Sequence, residues 1–354
     1  MYKVDRMNGK VPPLRDNFRR MKRSFVGALL IAFVLLSPAS PALAHGGDGG
    51  ASSDYEVVVT GYSGDATGVV VRSVDLGSRI ELVRTTAKEV IVTGYSAEPY
   101  LRLDSKGVWE NFNSPAHYLN LDRFASKTPP ESASADATPD WHLMSSGSSV
   151  RWHDHRTHWM SSTPREDVVA QPDVERVIFP ANKVDLSIDG RVASAIVKVT
   201  WLPPPNKTGW LMAISALAAL LIVGLVLSER LRRLVPVLAA LGALAGLAGQ
   251  GSSSTRLLMA TAAVLLAAAA LRSARPQLSL ISSVVVAALS VTRLEVFEHE
   301  LMQGALAGTG QRIAISVALI ISASIVFAQI VAWLSPKPTP VARPAERQRP
   351  VQPC

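Results

Sequence analysis

Cysteine is nearly missing: the only one, Cys354, is the last of 354 residues, so no disulfide can hold any part of the chain together. Nucleophile chemistry is equally short of parts. No serine sits in a Gly-x-Ser-x-Gly elbow, and no glutamate stands beside the one histidine-rich segment as a general base. A hydrolase is therefore not expected, and the chain is read as non-enzymatic. Charge is scarce too, at 18% Asp, Glu, Lys and Arg against 48% hydrophobic residues, which is low for a soluble protein of this length. No charged residue falls near the middle of any long apolar run, which argues against a proton- or ion-coupled transporter.

The charge that is present is unevenly placed. Residues 1–44 hold 8 Lys/Arg and 2 Asp/Glu, residues 45–208 hold 16 and 21, and residues 209–354 hold 12 and 5. The net +8 thus describes no single surface. The middle segment is acidic, which excludes nucleic acid as its partner. Six of the seven histidines also lie in it.

The first 44 residues have the parts of a signal peptide. Met21-Lys-Arg precedes an apolar run over 24–36, then small residues at Ala42 and Ala44 mark a cleavage site before His45. Met21 is the more natural start of this segment. Cleavage would export the β-rich region beyond it and leave His45 as the amino terminus.

Residues 45–201 alternate with a period close to two. The segments 55–60, 68–74, 79–84, 89–93 and 100–104 are rich in Val and Ile, and Gly, Asp and Ser separate them. Segments 183–188 and 191–201 flank Asp189-Gly190, a two-residue hairpin signal. The pattern predicts an exported all-β sandwich of immunoglobulin-like type. Residues 126–140 read as a surface loop, and Pro-rich 202–208 as a stiff linker.

Apolar stretches at 209–227, 231–249, 257–271, 278–291 and 313–334 predict an all-α membrane domain of five transmembrane helices spanning 209–334. The third and fourth are short for the purpose. With the β-domain outside, the inside connections carry nine Lys/Arg and the outside ones three, so export signal and loop charge agree. The reading is a multi-pass bacterial cell-membrane protein with a disordered cytoplasmic tail over 335–354. The lipid bilayer is then an obligate partner.

Chemistry concentrates in Val150-Arg-Trp-His-Asp-His-Arg-Thr-His-Trp-Met160. On an extended strand His153 and His155 share a face, and a turn at Arg156-Thr157 is needed to bring His158 to them. Imidazoles at this spacing suit Cu(II) or Zn(II), with Asp154 as an oxygen ligand or an outer acceptor. Met160 follows His158 closely, and a thioether favours copper over zinc. The competing reading makes Arg151, Asp154 and Arg156 a buried ion-pair network, with the histidines as hydrogen-bonded parts of a corner. His117 and His142 are secondary candidates, in a 109–120 segment read as a loop and beside Met144 respectively. So are Glu295 and His299, which with Met302 would share one face if 293–302 were helical.

A signal ending in Ala-His, a β-sandwich and a helical membrane unit, in that order, resemble the copper-resistance CopC–CopD family. That resemblance implies Cu(II) held by the mature amino-terminal histidine, here His45, and by an Asp-x-His element, matched loosely by Asp154 with His155 or His158. The segments Trp-Glu-Asn, Ser-Pro-Ala-x-Tyr-Leu-Asn and Trp-His-Asp-His-Arg-x-His-Trp are similar to those of a group of bacterial multi-span membrane proteins, which implies no activity. Two functions are therefore expected. One is a membrane protein binding copper or another transition metal outside the cell. The other is a non-catalytic envelope module whose Trp-His-Arg segment is structural and whose partner is an envelope protein.

Overall fold

A computed structural model describes residues 52–273 and 275–335. The expected signal peptide over 1–44, His45 and the tail expected to be disordered beyond Ser335 lie outside them.

Alternation of apolar side chains produces the strands as expected. In β3 (Val69–Val74), Val69 and Val71 are buried while Val70 is exposed; in β5 (Val90–Thr93), Val90 and Val92 are fully buried. β2 (Tyr55–Gly64), β10 (Arg176–Ile188), β11 (Arg191–Trp201), β5, β6 (Pro99–Asp104), β7 (Gly107–Asn111) and β8 (Trp141–Ser145) form a seven-stranded antiparallel sheet in the order 2-11-10-5-6-7-8. The hairpin between β10 and β11 turns at Asp189 and Gly190, both with positive φ (52° and 77°), as the Asp-Gly signal requires. A second sheet has the order β3, β4 (Arg79–Arg84), β9 (Ser149–Trp152). Ile80, Leu82 and Trp152 from this sheet and Leu103, Val184 and Val197 from the larger one belong to one core.

The 109–120 segment departs from its sequence reading. Trp109–Asn111 complete β7, and α1 (Pro115–Leu119) comes next. The Ser114 hydroxyl accepts the Ala116 amide at 3.2 Å, with Pro115 in the first turn, an ordinary helix start.

All five apolar stretches are helical. α3 (Lys207–Leu227), α6 (Ser254–Arg272) and α8 (Gly308–Leu334) are long and apolar enough to cross a membrane, whereas α5 (Val235–Ala248) and α7 (Pro276–Val291) are shorter; α4 (Glu229–Arg233) is a charged turn before α5. A short helix, α2 (Glu166–Ala170), lies earlier in the β-region. α7 packs against α5, α6 and α8, and α3 packs against α8. α3 leaves Met212, Leu217 and Leu220 exposed, a surface suited to an apolar medium.

The connection from α7 to α8 is not the helix expected there. It is a 3-10 turn over Leu294–Phe297 and then β12 (Leu301–Met302), which pairs antiparallel with β1 (Ser52–Ser53). Glu295, His299 and Met302 therefore do not share a face. Glu295 pairs with Arg293 at 2.5 Å, His299 with Asp54 at 2.8 Å, and Met302 is buried with Val296, Phe297 and Ile315.

Candidate metal centre

The histidine-rich segment leaves β9 at Trp152 and enters a 3-10 turn over His155–Thr157. Asp154 makes that turn. Its side chain accepts the Arg156 amide at 3.0 Å, and its carbonyl accepts the Thr157 amide at 3.0 Å and hydroxyl at 2.8 Å. Arg156 returns Nε and Nη2 to the same carboxylate at 2.9 and 2.7 Å, and Trp152 Nε1 adds a fourth donor at 2.8 Å. Burial would push the Asp154 carboxyl up, but the hydrogen bonds and charge of Arg156 outweigh it and hold the pKa below the ordinary carboxylate value. Fully buried and saturated in this way, Asp154 is not placed as a metal ligand. Arg151 is not part of the network: it pairs across β4 with Glu81 at 2.8 Å and is exposed.

The turn does what the spacing required. One ring nitrogen from each of His153, His155 and His158 lies within 4.8 Å of the others, and among the described residues this is the only such group of His, Cys, Asp or Glu. Each ring also spends one nitrogen on a backbone carbonyl: His153 Nδ1 on Ser78 (2.7 Å), His155 Nε2 on Asp122 (3.0 Å), His158 Nδ1 on Trp159 (3.1 Å). A carbonyl only accepts, so these nitrogens carry the protons of the neutral rings. Nε2 of His153, Nε2 of His158 and Nδ1 of His155 are left with bare lone pairs. The first two stand 2.7 Å apart.

Two lone pairs at that distance repel unless a proton or a metal ion lies between them. Burial works against the proton. Desolvation lowers both pKa values, that of His158 to about 3, and the positive charge of Arg123 adds to the effect. A metal shared by neutral imidazoles, each fixed by a second hydrogen bond, needs no ring to be protonated.

The carbonyl under His153 is held by an unusual turn. Asp75, Leu76 and Gly77 run through the left-handed region (φ 53°, 57° and 86°), a conformation costing a non-glycine residue about 1–3 kcal/mol. Position 77 must be glycine, since a Cβ there would sit 2.4 Å from Val57 Cγ2. Ser78 is the next residue. On the other side, the Asp122 carboxylate accepts amides of Phe124 and Ser126 (2.8 and 3.1 Å), fixing the loop that offers the Asp122 carbonyl to His155. The Tyr95 hydroxyl accepts the His155 amide at 2.9 Å. None of these supports has a sequence signal, because they are groups supplied by distant segments.

A small cavity of about 30 Å³ opens beside His158, lined by Ser52, Ser53, Tyr55, Asp75, Ser78 and Arg123 among others. The secondary candidates lie elsewhere. His117 and His142 stack on Phe112 at 4.3 and 4.1 Å, beside Glu110 and Asp140 respectively. Glu295 and His299 belong to the α7–α8 connection. Met160 is half-buried, two residues past His158.

Comparisons with protein-family models, curated proteins and solved structures return no match.

Proposed function

We propose that this is a non-enzymatic membrane protein whose exported β-region binds one transition-metal ion, Cu(II) in preference to Zn(II), through His153, His155 and His158. The observation that carries the reading is the meeting of one ring nitrogen from each histidine within 4.8 Å, with the bare Nε2 atoms of His153 and His158 2.7 Å apart and all three rings held by backbone carbonyls. Two ligands about 2.0 Å from one metal stand about 2.8 Å apart at a right angle and about 3.3 Å apart at a tetrahedral one. The 2.7 Å between His153 and His158 Nε2 is a separation that two ligands of one ion can adopt, and the preference for copper rests on the histidine-rich, cysteine-free ligand set. Asp154 acts through the turn it builds, not as a ligand.

The same reading takes the β-region as a sandwich of immunoglobulin-like type in the broad sense of two antiparallel sheets over one core. It takes all five apolar helices as spans, with the β-region outside and the carboxyl terminus in the cytoplasm. Packing of the short α5 and α7 among α6 and α8 supports a shared slab. His45, which lies outside the described residues, is proposed as an additional ligand through its free amine and ring. It stands seven positions before Ser52 at the cavity, a reach of up to about 23 Å.

Elemental analysis of the full-length protein after copper loading tests the proposal. About one equivalent is expected, falling to none in His158→Ala; no copper in the unaltered protein would sink the metal reading and leave the envelope module. Copper titration of protein with one extra residue ahead of His45 tests the amine, since equal affinity would remove it from the ligand set.

A further inference from the structure

The ligand set has no negative charge of its own. The three imidazoles, and the amine and ring of His45 where they join them, are all neutral, and the buried Asp154 carboxylate is consumed by Arg156 and Trp152. A second cation stands at the same place. Arg123 lines the cavity beside His158 and, among the described residues, makes no hydrogen bond or ion pair. The other charged group in that wall, Asp75, lies 4.0 Å from Arg79 and is already shared with it. Tyr55, Ser52 and Ser53 complete the polar lining and are neutral.

His158 is the one histidine of the three that lines this cavity, so an ion held on it would face the guanidinium of Arg123, an exposed residue, and the two would repel each other. An anion between them turns that repulsion into two attractions. The cavity, at about 30 Å³, admits a ligand of one to a few heavy atoms.

We infer that the cavity between His158 and Arg123 is a binding site for a small inorganic monoanion, which coordinates the metal and is held from the other side by the Arg123 guanidinium. This rests on the metal reading above. Binding is ligand exchange without redox change: a metal–water bond breaks, a metal–anion bond forms, and the water leaves. Arg123 selects for charge, and the cavity size selects for a compact donor.

The test uses the full-length protein in detergent, loaded with one equivalent of Cu(II) in chloride-free buffer and titrated with sodium azide. The azide-to-copper charge-transfer band is read. A saturable band is expected. Arg123→Met should keep its copper but weaken azide by about tenfold or more, and Arg123→Lys should recover most of that loss. Asp75→Asn should leave azide binding unchanged or stronger. Equal azide affinity in Arg123→Met overturns the proposal, since the metal alone then explains binding. A band that forms only in Asp75→Asn also overturns it, because Asp75 would be the anionic ligand. Copper uptake without any azide band removes the anion site and leaves the metal site standing; no copper uptake removes both.

Discussion

Asp54 grips His299 across the junction between the β-region and the helices. Its Oδ2 accepts His299 Nδ1–H at 2.8 Å while Oδ1 accepts the Glu300 amide at 2.8 Å. The residues on either side are stitched as well: Ser52 and Ser53 pair with Met302 and Leu301, and the Asp54 carbonyl accepts the Leu202 amide at 2.8 Å. One short stretch of chain therefore ties the cavity beside His158, the linker and the α7–α8 connection together.

That grip predicts a pH dependence. The hydrogen bond to Asp54 raises the His299 pKa against the opposing effect of burial, and the charges of Asp54, Glu298 and Glu295 add to it. Nearby, Lys207 pairs with Glu298 and Arg312 with Glu300, so those two glutamates are partly neutralised. A histidine raised in the folded state stabilises it fully below its ordinary value of about 6.5, and that contribution is lost as pH rises through the raised value. The melting temperature of the full-length protein should exceed that of His299→Gln most at mildly acidic pH, with the gap shrinking as pH rises above the ordinary histidine value. A gap that is constant or grows with pH would contradict the assignment.

Membrane orientation gives a second prediction. α3, α6 and α8 satisfy the length and apolarity of spans, and the shorter α5 and α7 must also cross if the loop charges are to alternate sides. A reporter fused after Lys337 is expected to be active only in the cytoplasmic form, and one inserted at Ser253 only in the external form. Both signals on the same side would rule out five crossings.

An element is legible in the sequence to the extent that its signal is local. The Val-rich alternation of β3 and β5 and the Asp189-Gly190 turn act within a few residues, and each appears where expected. Ser114-Pro115 is an equally local helix signal, masked when 109–120 is read as one loop. The expected 293–302 helix does not form because its partners are distant: Asp54 captures His299, β1 pairs with β12, and Arg312 donates to the carbonyls of Val296, His299 and Glu300 at 3.0–3.1 Å. The histidine cluster divides in the same way. His153, His155 and His158 are visible as a spacing, and Arg156-Thr157 as a turn. The carbonyls of Ser78 and Asp122 that fix two of the rings, and Arg123 at the rim, come from other segments and leave no pattern near 150–160.

Asp154 and the histidines it positions separate two kinds of loss. Asp154 is fully buried beneath two charge-assisted bonds from Arg156, so Asp154→Ala strands a guanidinium that is itself mostly enclosed and should cost about 3–5 kcal/mol. Arg151→Ala removes a pair whose arginine end is exposed and leaves the buried Glu81 with Arg72 as its partner, so about 0–1 kcal/mol is expected. His153 and His158 should behave unlike either. Truncating a buried aromatic ring ordinarily costs about 3–5 kcal/mol, but here the loss is offset, because removing one ring also removes the confrontation of two Nε2 lone pairs at 2.7 Å. His153→Ala and His158→Ala are therefore expected to change metal-free stability by less than about 1.5 kcal/mol while abolishing the stabilisation that copper gives. That gain should reach about 2.7 kcal/mol in unaltered protein at a free copper concentration a hundred times Kd. Denaturant unfolding of the full-length protein in detergent, followed through the β-region with and without copper, measures all four variants on one scale. Histidine variants as damaged in the metal-free state as Asp154→Ala would make the three rings structural parts of the turn and remove the metal centre.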